Sequence, residues 1–121
     1  MGYALEAQQK FPEALGEFRK ATEKNPDDFQ AHFALGRILV NQESYQDGIQ
    51  HLLKCLDSHD EGNKPAYLYA LGAAYARSGN LKNGVRYLRQ AREAAEARNQ
   101  PRMVESIDAD LKELERKPPP Q

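Results

Sequence analysis

The sequence has one cysteine, no tryptophan and no long apolar run, and these absences remove whole classes of protein. Cys55 alone cannot form an internal disulfide, and a zinc site built from several thiolates is excluded. No apolar stretch approaches the roughly 18 residues that a membrane span needs. The N-terminus has no basic region followed by a hydrophobic run, so a secretory signal is not expected. The sequence does not identify a cellular compartment, and the cytoplasm is the default expectation.

The charge is nearly balanced overall, at −1, but it is unevenly distributed. The segment 77–102 carries seven basic residues against two acidic ones. The spacings Arg89/Glu93 and Arg92/Glu96 favour intrahelical pairs on an exposed face. The alternative is a patch for an acidic partner or for nucleic acid. Nucleic acid is disfavoured because Tyr87 is the only aromatic residue in the segment and the rest of the chain is acidic.

One pattern occurs twice in the chain. Two aromatic-Ala-Leu-Gly stretches end at Gly36 and Gly72, and each is followed twelve residues later by a second glycine, Gly48 or Gly84. Upstream, a third copy at an offset of 34 aligns Ala14 with Gly48. Repeats of this length indicate stacked supersecondary units.

Each repeat is predicted to contain two helices. Apolar residues recur at steps of three and four, as in the run Tyr67, Leu68, Leu71 and Tyr75. Gly79 suits the left-handed residue that ends a helix. Glycine within a helix costs about 1 kcal/mol relative to alanine. A close approach of two helix axes offsets that cost through dispersion contacts, so the glycines predict tightly packed antiparallel pairs.

The C-terminal segment is predicted to form an amphipathic capping helix over residues 101–117. Pro101 suits its first turn. Its apolar stripe consists of Met103, Val104, Ile107, Leu111 and Leu114. A repeat array needs such a cap to cover its last apolar face. Residues 118–121, which read PPPQ, are predicted to be disordered.

These features resemble the tetratricopeptide repeat family, whose unit is a helix-turn-helix of 34 residues. The match covers residues 1–98, as a partial unit (1–28) and two full units (29–64 and 65–98). It rests on Leu35, Gly36, Leu39, Tyr45, Gly48, Leu52 and Cys55, and on Leu71, Gly72, Tyr75, Leu81, Gly84, Leu88 and Ala91. The resemblance implies an all-α, right-handed superhelical solenoid of antiparallel helix pairs, closed by the capping helix.

The resemblance further implies a non-enzymatic scaffold or adaptor that binds a peptide or partner segment in a concave groove. Groove candidates are Tyr3, Phe33, Arg37, Asn41, Tyr69, Ala73 and Arg77, and Val40 also falls on this face. Large aromatics are typical anchors, and arginine can hold a carboxylate. The alternative for Phe33 and Tyr69 is packing against the next unit or the cap. No catalytic residue, metal or cofactor is expected.

Other functions stay open at this level. One alternative is a regulatory or docking domain of a larger enzyme, and another is a helical repeat that contacts RNA. One subgroup of the family clamps the C-terminal carboxylate of chaperones, but the clamp positions here hold Tyr3, Ala34, Ala66 and Ala70. No chaperone-tail binding is therefore predicted. The truncated first unit predicts exposed apolar surface, with self-association or N-terminal disorder as the result.

The side chains that carry metal or nucleophilic chemistry are few. His51 and His59 lie near Asp57 and Asp60, but a solvated connector is favoured over a metal site. Cys55 occupies a small-residue position, where a free thiol behaves as a small hydrophobe.

Overall fold

The computed structural model describes residues 11–116, whose regular structure is entirely helical. The helices are α1 (Phe11–Lys24), α2 (Phe29–Asn41), α3 (Tyr45–Lys54), α4 (Lys64–Arg77), α5 (Leu81–Ala97) and α6 (Pro101–Arg116). A short 3-10 turn, Cys55–Asp57, follows α3. The all-α prediction is confirmed. Tyr3, the start of the partial first unit and the predicted tail at 118–121 lie outside the described residues.

The chain divides into two compact units, Met1–Cys55 and Leu56–Gln121. In the first unit α1 packs on α2 and α2 packs on α3. In the second unit α4 packs on α5 and α5 packs on α6. Each helix thus packs on the next one along the chain within its unit, which is the arrangement that the repeated helix pairs predict. None of the helices between residues 11 and 116 is long and apolar enough to cross a membrane.

Local capping residues set where the helices begin. The Asp28 carboxylate accepts a hydrogen bond from the Ala31 amide at 3.1 Å, which satisfies one free N–H at the start of α2. The Asn80 side chain does the same for the Asn83 amide at the start of α5, at 3.2 Å. Proline stands in the first turn of α4 and at the first position of α6, where no N–H is needed.

Three helices end in the same left-handed turn. The residue after the C-cap has positive φ at Glu43 (66°), Gly79 (96°) and Asn99 (55°). In each turn the next amide returns to a carbonyl five residues earlier, over 2.8–2.9 Å; the three bonds are Ser44 to Leu39, Asn80 to Tyr75 and Gln100 to Ala95. This is the Schellman arrangement. Glu43 makes the turn without the conformational freedom that glycine has at Gly79.

Glycines form the seam of the α2–α3 pair in the first unit. A Cβ added to Gly36 would lie 2.6 Å from Leu52 Cγ and 2.9 Å from the Gly48 carbonyl oxygen. A Cβ added to Gly48 would lie 2.7 Å from Val40 Cγ2. Val40, which the sequence placed on the groove face, is therefore buried in this seam.

The α4–α5 pair repeats the seam in the second unit. A Cβ on Gly72 would lie 2.7 Å from Leu88 Cγ and 2.9 Å from the Leu88 amide nitrogen. A Cβ on Gly84 would lie 3.0–3.2 Å from backbone and side-chain atoms of Ala76. Carbon atoms pack comfortably at about 3.5–4.0 Å, so a Cβ at Gly72 would clash with Leu88, and a Cβ at Gly84 would require Ala76 to shift. The hypothesis that the glycines are spacers is confirmed.

The core of the second unit joins α4, α5 and α6. Its buried members are Leu68, Leu88, Ala91, Ala95, Ile107 and Leu111. Ile107 of α6 has no exposed surface, and Met103, Val104 and Leu114 pack around the cluster. The apolar stripe predicted for residues 101–117 is therefore the face by which α6 covers the unit.

Candidate partner-binding surface

Three of the predicted groove residues lie on α2 at intervals of four, which places them on one face of the helix. Phe33 is half-buried, whereas Arg37 and Asn41 are exposed. The guanidinium carbon of Arg37 lies 5.4 Å from the centre of the Phe33 ring, which is within cation–π range. The stacking holds the exposed arginine along the helix surface.

The other predicted residues lie on α4 with the same spacing. Ala73 is half-buried and Arg77 is exposed. Tyr69 packs against the core of the second unit, and its hydroxyl donates a 2.6 Å hydrogen bond to Asp110 Oδ2 on α6. Burial, followed by this hydrogen bond and the charge of Asp110, raises the pKa of Tyr69 to about 12. Tyr69 therefore packs against the capping helix α6, which was the alternative to a role in the groove.

Two arginines of the basic stretch, Arg89 and Arg92, bond acidic residues of α6. Arg89 Nη2 lies 2.8 Å from Glu115 Oε2, instead of pairing along α5 with Glu93. Arg92 Nε donates to Asp108 Oδ1 at 2.5 Å, and Arg92 Nη1 lies 3.2 Å from Glu96 as the four-residue spacing predicts. The hydrogen bond from Arg92 is the main cause that lowers the pKa of Asp108.

A second aromatic and arginine cluster, which sequence reasoning did not identify, lies on the α4–α5 pair. The rings of Tyr75 and Tyr87 are stacked, with centres 5.4 Å apart and planes 2° apart. The Arg86 guanidinium carbon lies 5.0 Å from the centre of the Tyr87 ring. The signal was present in the spacing, because Tyr75 and Tyr87 flank the short α4–α5 turn. Burial is the main cause that raises the pKa of Tyr75.

Cys55 is a core residue. Its side chain is fully buried, and its sulfur lies 3.5 Å from the Phe29 carbonyl oxygen and 3.6 Å from the His51 carbonyl oxygen. Burial raises the pKa of the Cys55 thiol to about 12. A thiol that stays protonated is a poor nucleophile, so Cys55 fits the role of a small hydrophobe.

The sequence places His51 near His59, but in the structure His51 contacts another histidine. His51 faces His32 of α2, and their Nδ1 atoms are 2.9 Å apart. In the antiparallel register that places Gly36 beside Gly48, these two positions come together, which is the signal that could have revealed the pair. Within residues 11–116 no three histidine, cysteine or acidic side chains converge as a metal site would require.

Two comparisons with known proteins bear on the family. Residues 1–63 and residues 65–98 each match a family model described as a tetratricopeptide repeat. Over 97 residues the chain is 31% identical to an uncharacterized tetratricopeptide repeat-containing protein of Arabidopsis thaliana. That match covers 75% of this chain and 12% of the relative, so the chain spans only a small part of the relative's length.

The matched residues include both glycine seams, and the helix pairs have the spacing that this repeat requires. Repeats of this kind generally mediate protein–protein interaction and are typically non-catalytic. The chain belongs to the tetratricopeptide repeat family.

Proposed function

We propose that the chain binds a peptide segment of a partner protein through the exposed faces of its first helices, with the α2 face as the principal site. The observation that carries this proposal is the Phe33–Arg37 stack. Aromatic and arginine side chains are the residues most often found at the energetic centres of protein interfaces. Stacking restricts the arginine before a partner arrives, so less side-chain entropy is lost on binding.

The α2 face offers three different kinds of contact in a row. The part of the Phe33 ring that remains exposed can receive an apolar side chain. Arg37 presents a planar fork that can donate two parallel hydrogen bonds to a carboxylate or bond backbone carbonyls. Asn41, which is exposed at the end of the row, adds an amide side chain to this face.

The dimensions of this face suit an extended peptide. A helix rises 1.5 Å per residue, so Phe33 and Asn41 are about 12 Å apart along α2. An extended chain rises about 3.3 Å per residue, so roughly four residues of a ligand would span the three side chains. The α4 face contributes less in this proposal, because the Tyr69 hydroxyl already bonds Asp110. Tyr3 lies outside the described residues, and its place in the groove stays a prediction.

The test is affinity capture from cell extract with the intact chain and quantitative identification of the captured proteins. Phe33→Ala and Arg37→Ala should each lose the same subset of partners. Arg86→Ala is the matched control, because it also removes an arginine stacked on an aromatic ring, but on α5 and outside the predicted face. Circular dichroism should show equal helix content in all variants. If Phe33→Ala and Arg37→Ala retain every partner, the α2 face is not the binding surface.

A further inference from the structure

Two histidines of the first unit form a hydrogen-bonded pair between neighbouring helices. His32 lies on α2 and His51 on α3, and their ring centres are 5.2 Å apart with planes tilted by 33°. Their Nδ1 atoms lie 2.9 Å apart. The other nitrogen of His32, Nε2, lies 2.9 Å from the carbonyl oxygen of Pro26 in the turn between α1 and α2. The pair therefore links that turn, α2 and α3.

The contacts of the pair define which nitrogen carries each proton. A carbonyl oxygen only accepts, so His32 donates its Nε2–H to Pro26. A neutral His32 then has a bare Nδ1, which can only accept. His51 must therefore donate its own Nδ1–H to His32. This leaves Nε2 of His51 as the bare nitrogen of the pair.

The geometry tolerates one additional proton but not two. A proton added to Nε2 of His51 leaves the bond between the rings in place. A second proton has only Nδ1 of His32 left to occupy. It would bring two N–H groups and two positive charges together at a separation of 2.9 Å, with no acceptor between them. The rings must then separate.

We propose that His32 and His51 form a pH-sensitive latch that holds α3 to α2 and is opened by the second proton. Because one proton lies between the two Nδ1 atoms, the latch responds to the protons carried by the pair and not by either ring alone.

The surroundings of His51 oppose its protonation. Burial, the adjacent His32 and the positive charge of Arg19 on α1 lower the pKa of His51, in that order. Asp47, one turn earlier on α3, acts in the opposite direction but does not outweigh them. The Cys55 thiol, which donates to the His51 carbonyl, has a pKa of about 12 and adds no charge near neutral pH.

The sign of the pH dependence follows from this direction. A histidine whose pKa is below its ordinary value of 6.5 binds its proton less readily in the folded state than in the unfolded state. The full stabilisation is present above pH 6.5 and is lost as the pH falls below that value. Where the folded state binds one proton fewer than the unfolded state, the unfolding constant rises about tenfold for each unit by which the pH falls.

Nitrogen NMR of the intact chain tests the proton positions. At pH 8 the ¹⁵N shifts should show His32 as the Nε2–H tautomer and His51 as the Nδ1–H tautomer, which free histidine populates less. Titration to pH 5 should show two linked steps at this pair. Observation of His51 as the Nε2–H tautomer with an independent single-step titration would overturn the proposal. This measurement needs no variant and so does not depend on whether a variant folds.

Urea unfolding between pH 5 and pH 8 tests the coupling to stability, with EDTA present to exclude bound metal. The wild-type chain should lose stability on acidification, whereas His51→Gln and His32→Gln should each lose most of that pH dependence. His59→Gln is the matched control, because His59 is exposed in the connector. It should keep the wild-type pH profile. Equal slopes in all four chains would also overturn the proposal.

Discussion

Replacement of Gly72 by alanine tests the glycine seam directly. In an unconstrained helix this change is stabilising by about 1 kcal/mol, because alanine has the higher helix propensity. In the α4–α5 seam the new Cβ would lie 2.7 Å from Leu88 Cγ and 2.9 Å from the Leu88 amide nitrogen. Leu88 is only 1% exposed, so it has no open space to move into.

The expected effect is the difference between two opposing contributions. Insertion of a methyl group into a well-packed site costs typically 1–3 kcal/mol. The clash involves a backbone atom as well as a side chain, so the helices must separate and the cost should lie in the upper part of that range. After subtraction of the helix-propensity gain, Gly72→Ala should destabilise the chain by about 1–2 kcal/mol.

Two other glycines provide a graded control. Gly16 lies in α1, and no described atom lies within 4 Å of a Cβ built there, so Gly16→Ala should stabilise by about 1 kcal/mol. At Gly84 the nearest atoms of Ala76 are 3.0–3.2 Å away, so the two effects should nearly cancel. Urea unfolding followed by helical circular dichroism measures all three variants. If Gly72→Ala is as stable as Gly16→Ala, the close approach of α4 and α5 is refuted.

Four further predictions concern single contacts. Glu43→Gly should stabilise the chain by roughly 0.5–1 kcal/mol, since glycine removes the cost of positive φ but raises the entropy of the unfolded state; a lower urea midpoint would contradict this. Asp110→Asn should lower the pKa of Tyr69 from about 12 while burial keeps it above 10, as ultraviolet titration of the phenol can measure; an unchanged value would show that the Asp110 carboxylate does not act on the phenol. The buried Cys55 thiol, with its pKa of about 12, should react slowly with a disulfide reagent at pH 8 and rapidly in urea, and equal rates would show that it is accessible. Titration with an acidic chaperone tail should show no carboxylate-dependent binding by calorimetry, and tight binding would contradict the absence of the clamp.

Much of the fold could be predicted because it depends on backbone packing, which local patterns report. The spacing of Gly36, Gly48, Gly72 and Gly84 specifies where two helices must approach closely, and all four glycines lie in such seams. The left-handed end of α4 followed from glycine at position 79. The equivalent turn at Glu43 has no comparable residue signal, because glutamate does not favour a positive φ.

The partners of long polar side chains depended on the tertiary structure. Arg89 has a suitable acid four residues away on its own helix, yet it pairs with Glu115 of α6. Exposed ion pairs differ by fractions of a kcal/mol, so the distance set by helix packing decides between them. The bond from Tyr69 to Asp110 also joins two helices, so the sequence predicted only that Tyr69 could pack against the cap.

The sequence by itself determined the helical repeats, their small-residue seams and the amphipathic helix that covers the second unit, because these follow from residue size and periodicity within short segments. Only the tertiary structure decided that His32 meets His51 and that Tyr69 bonds α6. Those contacts depend on rotamers and on the separation of atoms that packed helices bring together, and a one-dimensional pattern does not contain such distances.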